Sequence, residues 1–191
     1  AQKAVIEEQG RLRDEELRRS QEELELARKV QRALIPAALP TCEHLSMAMH
    51  YEPAAKIGGD LLDCERLSDS TALLYVADAM GHGVPAALLM TAVRTAFHGA
   101  LARQPRSGSP SPATVLGEVN CTLTDLLGQG LVTAACVRVD SGADALTMAL
   151  AGHPPALLRR GFAAEVDEVG ATGIPLGISG ESRYADVVVP F

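Results

Sequence analysis

The residues best suited to chemistry are two aspartates set beside glycine-rich backbone. Lys56-Ile57-Gly58-Gly59-Asp60-Leu61-Leu62-Asp63 is followed eleven residues on by Leu74-Tyr75-Val76-Ala77-Asp78-Ala79-Met80-Gly81-His82-Gly83. A hairpin turn at Ser68-Asp69-Ser70, centred on Asp69, places Asp60 and Asp78 equally far before and after it, so they face one another across two strands. Cross-strand Cβ atoms lie about 4.5–5.5 Å apart, and like charges at that spacing repel. Either one carboxyl holds a proton or a divalent cation sits between them. The residues alone leave a third reading open, in which both are turn carboxylates capping exposed amides. Oxygen donors favour Mg²⁺ or Mn²⁺ over zinc, and Gly58, Gly59, Gly81 and Gly83 leave room beside the backbone. His82 is expected to pack or cap locally rather than to ligate, and Gly152-His153-Pro154-Pro155 to be a structural turn.

The elements that position this pair follow from pattern. Residues 4–34 lack proline and carry apolar residues at Val5, Leu12, Leu17, Leu24, Ala27, Val30 and Leu34, which predicts a long helix with a narrow seam, either a dimeric coiled coil or a solvated connector, the coiled coil being favoured. Pro36 and Pro40 stop it. After Leu45 the grammar becomes short apolar runs cut by Gly, Pro, Ser and Asp, predicting strands at 46–52, 61–67 and 71–78. The strand over 71–77 is apolar on both faces and is expected to be central, with Asp78 at its end. Gly83-Val84-Pro85 opens a helix through Ala102, Arg103–Pro112 reads as a loop, and a second helix runs from Ala113 to Leu127. Strands resume at 131–139, 145–151, 156–160, 164–169 and 183–189. Strands, two helices and strands again point to α+β architecture with antiparallel sheet and segregated helices. The division expected is a helical linker over 1–38 and a globular domain over 39–191.

Charge and cysteine usage exclude several functions. Net charge is −7, and residues 1–40 hold eight basic and eight acidic side chains, so the excess lies in the globular part. An acidic surface repels phosphate backbones, which argues against nucleic acid as a partner. No apolar run is expected to reach the ~18–20 residues of a membrane span, and a cytoplasmic protein is expected. Cys42, Cys64, Cys121 and Cys136 form no Cys-x-x-Cys pair and none has an arginine six residues on, which disfavours structural zinc and a cysteine-nucleophile phosphatase loop. Walker and Gly-x-Ser-x-Gly motifs are also absent.

Five ordered blocks resemble the bacterial PPM-type (protein phosphatase type 2C-like) serine/threonine phosphatases of the SpoIIE and RsbU group: Ala27 to Pro36, Pro53 to Asp63, Val76 to Met90, Ala151 to Pro155, and Gly173 to Ile178. The resemblance implies a four-layer αββα sandwich with two Mn²⁺ or Mg²⁺ ions. It makes Asp60 and Asp78 the catalytic metal ligands, with Ala79 lending its backbone carbonyl, and gives Asp63 no firm ligand role. It also implies a two-metal scheme in which an activated water attacks phosphorus in line. The substrate would be a phosphoserine or phosphothreonine on an anti-sigma-factor antagonist, and the first helix would link an upstream sensory domain and form a homodimer.

The pattern departs from the family at the end. Members continue to a Thr-Asp-Gly segment and a further acidic residue, whereas this sequence stops at Val189-Pro190-Phe191. The expectation is a domain truncated at the C-terminus, short of ligands and weakly active or inactive by itself. The competing reading is a degenerate phosphatase-like domain acting as a binding or dimerisation module.

Overall fold

The computed structural model describes residues 2–53, 56–104, 109–127, 130–161 and 165–190. A first helix, α1 (Gln2–Leu34), precedes a hairpin of β1 (Asp60–Arg66) and β2 (Thr71–Ala79). Helices α2 (Val84–Arg103) and α3 (Pro112–Leu127) follow, then β3 (Val132–Asp140), β4 (Ala145–Ala151), β5 (Ala156–Leu158), β6 (Asp167–Val169) and β7 (Val187–Pro190). Five strands form one sheet in the order β1-β2-β3-β4-β7, and β5 pairs with β6 in a second, small sheet. Every ladder is antiparallel. The α+β class, the antiparallel sheets with separate helices and the long leading helix are those expected.

The core lies between the large sheet and the helical pair. The α2 sequence buries Ala86, Met90, Val93, Phe97 and Ala100, spacings of three and four that fall on one helical stripe. Val115, Leu116, Val119 and Leu123 do the same for α3, against Leu73, Tyr75, Ala77, Ala134, Cys136 and Ala149 of the sheet. Tyr75 stacks on Phe97 with ring centroids 3.9 Å apart. Among the described residues α2 is a helix long and apolar enough to cross a membrane, which corrects the expectation that no such run exists. Its apolar stripe is spent on this core.

Two strand expectations change. Residues 46–52 join no ladder. Leu45 and Met47 instead pack with Leu39 on Cys42, Cys64 and Ala72, covering the rear of the hairpin, so side-chain alternation here serves a cover and not a strand. Of 183–189, only the end pairs, as β7. Asp186 is drawn to the start of α3, where its carboxylate accepts from the Ser111 hydroxyl at 2.6 Å and the Ala113 N–H at 2.8 Å, capping otherwise unpaired donors. Part of the expected 103–112 loop, residues 105–108, and the start of the expected 164–169 strand lie outside the described residues.

Candidate active site

The turn after β1 closes with the Leu67 and Ser68 N–H groups donating to the Thr71 carbonyl. That closure sets the register, and Asp60 pairs directly with Asp78. On the far side of β2, Asp78 pairs with Thr133. Three polar residues thus make a row across β1, β2 and β3, on the sheet face away from the helices. Sequence reasoning expected the Asp78 strand to be buried on both faces. Instead only its first half is: Thr71, Ala72 and Leu73 are buried, whereas Val76 and Asp78 are exposed. The carboxylates are therefore open to solvent and to a ligand, and only partly buried.

The Asp60 carboxyl is held above the usual carboxylate range. Partial burial is the main cause, then the charge of Asp78 and a hydrogen bond shared with it, while His153 opposes the shift. Next to the pair, the Ala79 N–H donates to the Gly59 carbonyl at 2.9 Å. A Cβ on Gly59 would lie 3.0 Å from the Ala79 carbonyl oxygen and 3.3 Å from that of Gly81, so glycine is what lets these oxygens gather beside Asp60. Gly81 and Gly83 take φ values of 106° and 76°, which side-chain-bearing residues rarely adopt. His82 between them is exposed, and Gly83, not a side chain, occupies the N-cap of α2. The capping role expected for His82 is thus not taken up. An open cleft of about 710 Å³ runs along Asp60, Leu62 and Val76, walled by Tyr51 and Pro53.

Asp63 belongs elsewhere. Three residues from Asp60, it points to the helix side of the sheet, where its buried carboxylate accepts from Arg94 Nε at 3.0 Å and the Tyr75 hydroxyl at 3.2 Å. His98 Nε2 lies 3.2 Å away, and the Cys64 N–H donates to the other oxygen at 2.9 Å. This network ties β1 to α2.

Two residues escaped sequence reasoning. His153, read as part of a structural turn, sits near both aspartates: burial lowers its pKa while Asp78 and Asp60 oppose that shift. Its Nδ1 is 2.9 Å from Thr133 Oγ1. The second is Gln31 near the end of α1, which is buried. Its side-chain amide donates to the Gly58 carbonyl at 2.6 Å and accepts from the Gly58 N–H at 3.0 Å. A salt bridge of 3.2 Å between Lys56 and Glu25 lies beside it. Nothing about one glutamine in a charged helix signals such a clamp, because its partner is backbone. For His153, the neighbourhood depends on a β3–β4 register that the sequence pattern does not set.

The donor set fits a hard divalent cation: two facing carboxylates and the Ala79 carbonyl, all oxygen. Among the described residues no group of three or more His, Cys, Asp or Glu side chains forms a metal cluster.

The antiparallel sheet backed by paired helices, with facing aspartates on its open face, matches a protein phosphatase 2C-type domain. The SiaA PP2C domain of Pseudomonas aeruginosa superposes with a TM-score of 0.74 at 26% identity, over 91% of this chain and 68% of that one. The chain belongs to the Stage II sporulation protein E (SpoIIE) family, whose pattern matches residues 68–191. It is 28% identical over 140 residues to the phosphoserine phosphatase RsbP of Bacillus subtilis, covering 71% of this chain and 33% of RsbP. To the phosphoserine phosphatase RsbU of the same organism it is 27% identical over 163 residues, covering 85% of this chain and 47% of RsbU. The chain thus spans less than half the length of these two relatives.

Proposed function

We propose that the protein is a metal-dependent serine/threonine phosphatase that removes phosphate from a signalling phosphoprotein of the anti-sigma-factor antagonist type. The observation that carries this reading is the direct pairing of Asp60 with Asp78 on an open sheet face beside a cleft. Asp60 and Asp78 would hold two Mn²⁺ or Mg²⁺ ions, helped by the Ala79 carbonyl. Such cations supply charge neutralisation at the phosphoryl oxygens and activation of the attacking water. The aspartates fix the point of attack, Gly59 and Gly81 keep the backbone clear, and the cleft beside Val76 receives the phosphorylated segment. RsbP and RsbU, both named phosphoserine phosphatases, support the reaction and the substrate class.

Regulation enters through α1. Leu12, Leu17 and Val30 of its seam are exposed, as they would be in a helix that pairs with a second copy and carries the signal of an upstream sensory domain. Leu17→Pro with Leu24→Pro is expected to abolish dimerisation measured by sedimentation, and an unchanged dimer rejects that arrangement.

The central test is Mn²⁺-dependent phosphate release from a phosphoserine protein. Asp78→Asn is expected to lower it at least about 100-fold with the circular dichroism spectrum intact, and an unchanged rate rejects the reading. One observation favours a second reading, a phosphatase-like binding module: no cluster of three ligating side chains occurs among the described residues. A module of that kind is indifferent to Asp78→Asn and to manganese.

A further inference from the structure

We propose that His153 is a third side chain of the reactive site, donating a hydrogen bond from Nε2 to the phosphoryl group held against Asp60 and Asp78. This rests on the phosphatase reading above and extends it to a residue outside the aspartate pair.

The placement of His153 is built by the backbone on both sides of it. Gly152 adopts a φ of 67° and joins Ala134 of β3 in a parallel bridge. A Cβ on Gly152 would lie 2.4 Å from Pro175 Cγ, so the turn is packed too closely for any other residue. Pro154 and Pro155 then restrict the chain beyond. Leu176, just after Pro175, exchanges two hydrogen bonds with Val132 at the start of β3. The imidazole is thus carried by a stiff corner that leans on β3, the strand whose Thr133 is in register with Asp78.

Its orientation follows from its side-chain partner among the described residues. With Nδ1 on Thr133 Oγ1 at 2.9 Å, Nε2 is the ring atom left for the site. The neighbouring aspartates offer only acceptors when ionised, whereas the Thr133 hydroxyl both donates and accepts. The arrangement that satisfies all of them has Thr133 donating to Nδ1 and the ring presenting Nε2–H. A neutral imidazole in that state stabilises developing negative charge on phosphoryl oxygen without any change of protonation. Direct ligation is the weaker assignment, because Asp60, Asp78 and His153 do not gather into a three-ligand cluster.

The test uses three variants of the protein with a phosphoserine peptide. His153→Asn carries an amide that reaches only as far as Nδ1. His153→Gln carries one that reaches toward Nε2. Thr133→Val keeps the ring and removes its anchor. His153→Asn is expected to lower kcat about 100-fold with KM within about twofold, and to weaken competitive inhibition by inorganic phosphate about tenfold. His153→Gln should restore at least about a tenth of wild-type kcat, and Thr133→Val should lose about tenfold. Mn²⁺ affinity, followed by electron paramagnetic resonance titration, should be unchanged in all three. Loss of Mn²⁺ binding in His153→Asn makes the ring a ligand and overturns the donor role. Equal losses in the Asn and Gln variants overturn it as well, because they point to a structural ring. If His153→Asn turns over normally while Asp78→Asn is inactive, this inference alone fails. If the wild-type protein shows no Mn²⁺-dependent turnover, the phosphatase reading fails and takes this inference with it.

Discussion

The two faces of β1 treat the same residue type in opposite ways. On the helix face, Asp63 is buried and takes hydrogen bonds from Arg94, Tyr75 and the Cys64 amide, with His98 in contact. On the open face, Asp60 confronts Asp78, and its carboxyl is raised by partial burial and then by that neighbour. An odd spacing along a strand sends side chains to opposite faces, so the Asp-x-x-Asp pattern that looks like one site is two. A saturated carboxylate holds a fold together, and an unsaturated pair is a place waiting for positive charge.

The contrast is broken most sharply by exchanging which property each aspartate controls. Asp63→Ala leaves Arg94 facing a buried gap and is expected to destabilise by about 3 kcal/mol, lowering Tm by roughly 6–12 °C in a chain of this size. Asp78→Asn should do the reverse, abolishing Mn²⁺-dependent turnover without lowering Tm. Thermal unfolding followed by circular dichroism distinguishes them. If the Asp63 variant melted with the wild type, its network would hold nothing.

Gln31 sharpens the comparison from outside the sheet. Its amide satisfies both backbone groups of Gly58, two residues before Asp60, and α1 thereby holds the strand start that presents one half of the carboxylate pair. Gln31→Ala strands those groups at a cost of about 1–2 kcal/mol. Faster hydrogen exchange at the Gly58 and Gly59 amides is the expected reading, together with weaker Mn²⁺ binding. Unchanged exchange there would mean that α1 only rests against the loop. α1 also packs against α2, the helix that follows Asp78, and through Gln31 it reaches the Asp60 side as well.

Much of this was legible beforehand because it is local. The hairpin register needs only the turn at Ser68–Ser70, and the two helices follow from Pro85, from the spacing of apolar residues and from the absence of breakers. The clamp and the third polar side chain were not legible, since both arise from contacts between segments far apart in the chain: Gln31 with Gly58, and Thr133 with His153. Residues 46–52 were misread for a related reason. Alternating Leu45 and Met47 show that one side of the segment is buried, but whether its backbone pairs depends on what lies alongside.

The smallest expected effect tests the repulsion itself. Asp60 has a folded pKa above its ordinary 3.8. Below that pH both folded and unfolded chains keep the proton, so the group is neutral in stability. As pH rises through 3.8 the unfolded chain ionises first, and folding stability falls until the folded carboxyl has ionised too, after which the loss is constant. Asp60→Asn has no such loss. In metal-free protein it should therefore be more stable than wild type at pH 7 by about 0.5 kcal/mol, a modest figure because the pair is largely solvated, and the gain should vanish near pH 3. Melting curves in chelator at both pH values measure it. Added Mn²⁺ should invert the order at pH 7, stabilising the wild type and not the variant, because a ligand that binds only the folded site raises stability in proportion to its occupancy. A variant no more stable than wild type at pH 7 without metal would mean that the two carboxylates do not strain one another, and that the open face of β1 is no more poised for cations than the closed one.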